Sequence, residues 1–280
     1  MEKIGSLKLK NRIFLAPMTE INDIAFRILC KKAGAGLTYT GMVNPLSKEE
    51  LILEDNPAIQ LFSINEKGIP EFIKNHEAVL FDFNLGCPAK TAREHGFGFF
   101  LQDLKVVEKI LETMRKSTDK PITIKLRKSR NAKKIIKIAE KHCDAICLHP
   151  RTQNQGYSGT PDIRFAEKIK EKTSIPIIYS GNVDEKNSDE MLEKFDFVMI
   201  GRRAIGNPGV FGEITGSKIN PEFKDYLELA FKHHLKFAQI KLQAMNFTKG
   251  RENAVEMRRD LIKARAVKDI KKIYGINQGF

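Results

Sequence analysis

A chain of 280 residues, 41% hydrophobic and 30% charged, holds enough apolar material for one large core with a small appendage, which excludes a disordered chain. Its apolar runs are strand-sized, far short of the roughly 18 residues a membrane span needs, and the opening MEKIGSLKLKNRIFLAP lacks a signal-peptide pattern, so a cytoplasmic protein with no membrane partner is expected. The net charge of +13 points to a polyanionic partner, while four cysteines with no C-x-x-C pair and no zinc-ligand spacing exclude a disulfide framework and offer no metal site.

In chain order, strand-like runs fall at 13–16, 36–40, 58–62, 79–83, 122–126, 145–149, 177–180 and 197–200. Amphipathic stretches lie between them, clearest at 104–115, 132–141, 163–171 and 186–194. Several strands are nearly continuous apolar runs, the pattern of a sheet buried on both faces. Eight such units within about 215 residues predict an α/β fold, the (β/α)8 TIM barrel. A doubly wound sheet would carry a glycine fingerprint after its first strand, but here that strand runs into APMTEIND, and Gly96-x-Gly98 lacks the third glycine.

Beyond residue 217 the period changes. Phe223, Leu227, Ala230, Phe231, Leu235, Ala238 and Leu242 recur at three- and four-residue spacing and predict one helix with one apolar face. A second helical stretch is expected over 253–273. The expected division is a barrel domain over 1–217 and a small helical domain over 218–280. Residues 219–280 hold 13 Lys or Arg against 7 Asp or Glu, a surplus of +6 on less than a quarter of the chain. Such a surplus suits phosphate contacts to nucleic acid.

In this fold the active site forms at the C-terminal ends of the strands. Those ends carry Pro17 and Met18, Thr40, Gln60, Asn84 with Cys87, Lys125, His149, Ser180 with Gly181, and Gly201 with Arg202. A thiol, an ammonium, an imidazole and two amides thus gather where the strand bodies are apolar. The glycine turns after the seventh and eighth strands suit a phosphate, because backbone N–H groups converge there, and Arg202 adds a charge-assisted contact. The segment DFNLGCPAKTAREHGFGFFLQ sets Cys87 in a Gly-Cys-Pro turn just past a strand, before a glycine-containing loop expected to be mobile. A thiol there serves as a nucleophile or as a general acid. An ordinary thiol titrates near about 8.5 and is mostly protonated at neutral pH, as a proton donor must be.

The blocks LAPMTEINDIAFR, IQLF, DFNLGCPAK, ITIKLR, LHPRTQNQGYSG and VMIGRRAIGNPGVF, in that order, resemble the tRNA-dihydrouridine synthases, flavoenzymes that reduce uridine in tRNA. The resemblance spans 13–211 and continues weakly into AVEMRRDL. It implies an FMN-binding barrel followed by a helical tRNA-binding domain, with NADPH or NADH as electron donor. A monomer without metal is expected. Cys87 matches the family's catalytic cysteine, which protonates C5 of the uracil while hydride from reduced flavin reaches C6. Asn84 matches a residue that holds the uracil, and Arg151 a position near the substrate. Pro17, Met18 and Thr19 match the first-strand flavin contacts. Gln60, Lys125 and His149 match contacts to the isoalloxazine or ribityl chain. Ser180, Gly181 and Asn182, with Gly201 and Arg202, match the phosphate grip.

There are departures. Glu20 and Pro150 stand where the family usually has Gly, Gly209 where it has Trp, and Asp260 where it has His. Ser180 and Asn182 flank a Gly181 that alone keeps the usual triplet. Two other readings compete. One is a dihydroorotate dehydrogenase-like FMN barrel acting on a free pyrimidine, against which stand the basic helical extension and DFNLGCPAK. The other is a non-catalytic tRNA-binding protein, against which stand intact Cys87, Lys125 and His149.

Overall fold

The computed structural model describes residues 2–276; Met1 and 277–280, the outer ends of the two expected domains, lie outside the described residues. The chain opens on an antiparallel hairpin, β1 (Glu2–Ile4) and β2 (Leu7–Leu9). Then come β3 (Ile13–Leu15), α1 (Ile24–Ala33), β4 (Tyr39–Val43), β5 (Ala58–Leu61), α2 (Ile69–Asn75), β6 (Phe81–Leu85), α3 (Lys90–His95) and a single 3-10 turn, Gly98–Phe100. The series continues with α4 (Leu104–Ser117), β7 (Ile122–Arg127), α5 (Ala132–His142), β8 (Ala145–His149), α6 (Ile163–Lys170), β9 (Ile177–Ser180), α7 (Ser188–Lys194), β10 (Phe197–Ile200) and α8 (Val210–Thr215). Four helices follow: α9 (Phe223–Lys232), α10 (Phe237–Asn246), α11 (Ala254–Lys263) and α12 (Val267–Ile273).

Strands β3 to β10 form one parallel eight-stranded sheet in the order β3-β10-β9-β8-β7-β6-β5-β4. It curls into the expected TIM barrel. The seam between β3 and β4 is thin: a single bridge pairs Phe14 with Leu37, flanked by Gly36 N–H to Ile13 O and Leu15 N–H to Leu37 O. Along each strand, side chains alternate between the helix layer and the lumen. On β6, Phe81, Phe83 and Leu85 join the helix-facing cluster. Phe14, Tyr39, Ala58, Ala145, Cys147, Ile178 and Met199 pack the lumen. Ile4 and Leu9 belong to this lumen cluster, so the hairpin plugs the end where the strands begin.

The helices follow their sequence signals. Helix α4 starts at Asp103, whose side chain accepts from the N–H groups of Lys105 and Val106. Val107, Ile110, Leu111 and Met114 then fall on one stripe and are fully buried. Burying each contributes about 1.5–3 kcal/mol.

Four expectations shift. The apolar run 36–40 yields β4 at Tyr39–Val43, because Leu37 makes only the isolated bridge and the β4–β5 register slips between Tyr39 and Met42. The run 79–83 yields β6 at Phe81–Leu85, whose ladder to β7 runs on through polar Asn84. The single helix over 223–242 is broken: His234 adopts φ 52°, Leu235 N–H folds back to Ala230 O, and α10 starts afresh from extended Lys236. The stretch 253–273 likewise splits into α11 and α12, with Asp269 accepting from the N–H groups of Arg265 and Ala266.

Candidate active site

The C-terminal ends of the barrel strands open into a cavity of about 830 Å³. Its walls include every residue singled out from the sequence for cofactor or substrate: Pro17, Met18, Thr19, Gln60, Asn84, Cys87, Lys125, His149, Arg151, Ser180, Gly181, Asn182, Gly201 and Arg202. Thr40, at an expected strand end, stays within the sheet, where its hydroxyl donates to Gly41 O and accepts from Gln60 N–H.

Cys87 is half-buried and free, whereas Cys30, Cys143 and Cys147 are buried. Its backbone is held from both sides. Asn84 Oδ1 accepts from Gly86 N–H at 3.0 Å and from Cys87 N–H at 2.9 Å. On the other side, Phe99 N–H donates to Cys87 O at 3.1 Å. Gly98, at φ 62°, presses against the turn, and a Cβ there would lie 2.9 Å from Cys87 Cβ. The segment after Cys87, expected as a loop, is therefore α3 and a 3-10 turn docked on the cysteine.

Below Cys87 runs a buried polar chain. Asn84 Nδ2 donates to Gln60 Oε1 at 2.8 Å, and Gln60 Nε2 donates to Asp82 Oδ2 at 2.6 Å. Asp82 Oδ1 accepts from Thr123 Oγ1 at 2.5 Å. Burial raises the Asp82 carboxyl to about 6, against the opposing pull of the Gln60 and Thr123 hydrogen bonds and the Lys125 charge.

The opposite wall is cationic. Burial, and then the charges of Lys125, Arg127, Arg151 and Arg202, push His149 down to about 2, so its ring is neutral. Arg151 Nη1 donates to His149 Nε2 at 3.1 Å, which makes Nε2 the acceptor and leaves the ring proton on Nδ1. Arg151 is 1% exposed. Its remaining donors reach Ser158 O and Gly159 O, so it fastens the loop after β8 to the imidazole. The Tyr157 ring of that loop lies between the guanidinium carbons of Arg127, 5.1 Å from its centroid, and Arg202, 4.6 Å away.

At the β9 and β10 end, two turns present backbone to the cavity. Gly181 has φ 155°, and a Cβ there would come within 3.1 Å of Pro161 and 3.3 Å of His149. Asn182 takes the left-handed conformation, and its Oδ1 accepts from Arg202 Nη2 at 3.1 Å. Gly201 keeps the wall beside Ala16 and Met18 free of a side chain. Glycine turns beside a guanidinium suit a phosphate, and Met18, Met42 and Met199 supply apolar wall for a flat ring.

Sequence reasoning missed Arg127, Tyr157, Asp82 and Lys249. Arg127 was findable, since it lies two residues past Lys125 and so on the same inward face. Lys249 is expected from the sequence only as one cation of an RNA face on the C-terminal helices, not as a cavity residue. It reaches the cavity from the turn after α10 and donates to Arg202 O at 3.2 Å.

Residues 14–272 match the family model for dihydrouridine synthase. The chain belongs to the dihydrouridine synthase family. It is 32% identical over 265 aligned positions to a probable tRNA-dihydrouridine synthase of Rickettsia bellii, which covers 84% of this chain and 81% of that one. It is 35% identical over 233 positions to tRNA-dihydrouridine synthase B of Pasteurella multocida, covering 75% of this chain and 70% of that one. Among solved structures it shares its fold with morphinone reductase in complex with tetrahydroNAD, at TM-score 0.51 and 14% identity over 80% of this chain and 92% of that one.

Two departures from the family pattern acquire a local account. Glu20, where glycine is usual, has φ 65°, so the turn into α1 asks for a residue without Cβ. Gly209, where tryptophan is usual, lets the Asn220 side chain lie against its backbone, since a Cβ there would sit 2.0 Å from Asn220 Oδ1. Among the described residues no helix is long and apolar enough to cross a membrane, and no group of three or more His, Cys, Asp or Glu is placed to hold a metal.

Proposed function

We propose that the chain is an FMN-dependent tRNA-dihydrouridine synthase that uses NADPH or NADH to reduce the C5–C6 double bond of uridine in tRNA. The observation that carries this reading is the pairing of a free thiol, fixed at the rim of a cavity, with glycine turns and Arg202 at its far end. The donor set fits the cofactor. The turns at Gly181–Asn182 and Gly201–Arg202 would hold the phosphate, and Met18, Met199, Gln60, Lys125 and His149 would hold the ring system and its chain. When bound and reduced, FMN supplies a hydride to C6 of the uracil.

The chain's own residues do the rest. Cys87 donates its thiol proton to C5, and the resulting thiolate regains a proton from solvent, so one hydride and one proton add across the double bond. Asn84 and Gly98 set where that thiol stands. Lys125 and Arg127 provide positive charge in the cavity, and neutral His149 offers its Nδ1–H as a donor without adding a like charge beside them. Residues 218–280 form the tRNA-docking unit, whose cations offset the cost of unstacking the target base, a few kcal/mol.

The test is to incubate the protein with FMN, NADPH and tRNA lacking dihydrouridine, then analyse digested nucleosides by mass spectrometry. A uridine gaining two hydrogens in the wild type and at least 100-fold less in Cys87→Ala is the expected result. A flavin-loaded, NADPH-reducible protein that leaves tRNA unchanged but reduces a free pyrimidine overturns it.

A further inference from the structure

Asp82 is a carboxylate at the centre of a protein interior, 1% exposed, on β6 between the helix-facing Phe81 and Phe83. Burying an ionised carboxylate is costly, and ordinary barrel layers are filled with branched aliphatic residues. Its neighbours are equally buried: Thr123 is 0% exposed and Gln60 2%. The geometry of these groups has a direction. An ionised carboxylate only accepts hydrogen bonds, so Gln60 must turn its Nε2 toward Asp82 and its Oε1 toward Asn84. Asn84 must then give Nδ2 to Gln60, which leaves its Oδ1 for the N–H groups of Gly86 and Cys87. One charge thereby orients two side-chain amides in series and ends on the backbone of the cysteine.

We propose that Asp82 is a positioning residue of the reductase site, which through Gln60 and Asn84 holds the Cys87 turn in the geometry that delivers its proton. The proposal rests on the reading of Cys87 as proton donor to uridine. With Asp82 neutral, Gln60 is free to reverse; its Nε2 then meets Asn84 Nδ2, donor against donor, and Asn84 must give up that bond or reverse in turn. A reversed Asn84 presents Nδ2 to the two N–H groups, donor against donor, and the Cys87 turn loses its anchor. The titratable groups coupled electrostatically to Asp82 are Lys125 on β7, Tyr39 on β4, Cys147 on β8 and, from the helix layer, Cys143 at the end of α5. Burial keeps the phenol and both thiols neutral, so Lys125 is the charge that favours the ionised carboxylate. The device therefore fails in acid, as Asp82 takes up a proton near pH 6.

Asp82→Asn and Thr123→Val test this, with two readouts. The first is the rate of Cys87 alkylation by iodoacetamide in the folded protein, followed on the Cys87 peptide. The second is the pH profile of uridine reduction, with kcat and the KM for tRNA separated. The expected result for Asp82→Asn is an alkylation rate changed at least threefold and kcat lowered at least tenfold. KM stays within threefold, flavin content at saturating FMN is unchanged, and the acid limb near pH 6 is absent. Thr123→Val shifts the same quantities in the same direction by less, and decides the matter if Asp82→Asn does not fold. Alkylation and kcat within twofold of wild type in both variants would overturn the proposal, as would a loss of kcat matched by loss of bound flavin. If wild-type protein makes no dihydrouridine, the functional reading fails, while the alkylation comparison still decides whether Asp82 holds the Cys87 turn.

Discussion

His149 and Asp82 are both held uncharged more readily than in water, and they pull the pH dependence of stability in opposite senses. An unfolded histidine binds a proton below about 6.5. The native ring does so only at about 2. Its contribution is therefore full above about 6.5 and falls as pH is lowered, by up to about 1.4 kcal/mol per unit. Asp82 keeps its proton in the native state up to about 6, whereas an unfolded aspartate releases it near about 3.9. Its contribution is full at low pH and is lost as pH rises through that window. Between pH 4 and 6 the two cancel in large part. His149→Asn removes only the first, so the variant should gain on wild type by about 1 kcal/mol per unit of acidification in that window, measured by urea unfolding of flavin-free protein. A constant difference across the window would contradict this. Glu20 is a simpler case. Its left-handed backbone predicts that Glu20→Gly leaves stability unchanged or raises it by up to about 1 kcal/mol, while Glu20→Val lowers it by about 1–2 kcal/mol in the same assay.

At the scale of elements, the Cys87 turn leans on the 3-10 turn that follows it. Gly98→Ala puts a methyl against the Cys87 turn at a positive φ. It should cost about 1–2 kcal/mol and slow uridine reduction at least tenfold; normal turnover in a folded variant would argue against the docked turn. Asp23 bolts the helical unit to the barrel. One oxygen caps α1 at Phe26 N–H, and the other accepts from Gln239, Gln243 and, at 3.3 Å, Tyr226. Asp23→Ala should therefore lose about 2–4 kcal/mol in urea unfolding, from the cap and from the second N–H of each amide, whose first stays on Glu20 O or Ile21 O. How far such elements were legible depended on their chemistry. The apolar periods revealed the barrel, because burial on two faces leaves a continuous signal. They misplaced β6 by two residues, because its last turn of ladder carries Asn84, a polar residue that belongs to the site. They merged α9 with α10, because the apolar spacing survives the break and only the backbone of His234 marks it.

For the whole molecule, the site was more legible than the fold's details. The residues at strand ends converge in one cavity because the barrel, once inferred, fixes which end of each strand is functional. The places of Lys249 and Tyr157 in the cavity were invisible for the complementary reason: each comes from a segment whose path no period predicts. The division of charge makes a further prediction. With the surplus of cations concentrated in 219–280 and the proposed phosphate grip recessed at the ends of β9 and β10, raising salt from 50 to about 200 mM should weaken tRNA binding by at least tenfold yet leave flavin bound. Filter binding and flavin absorbance read the two separately, and parallel loss would refute the division. The central claim is that Cys87 supplies the proton without which hydride transfer to uridine stalls. The most direct measurement is an anaerobic single turnover, in which protein with pre-reduced FMN is mixed with dihydrouridine-free tRNA and the return of oxidised flavin absorbance is followed. The account predicts prompt reoxidation in wild type and a reduced flavin that persists at least 100-fold longer in Cys87→Ala. Equal reoxidation rates in the two proteins would contradict it.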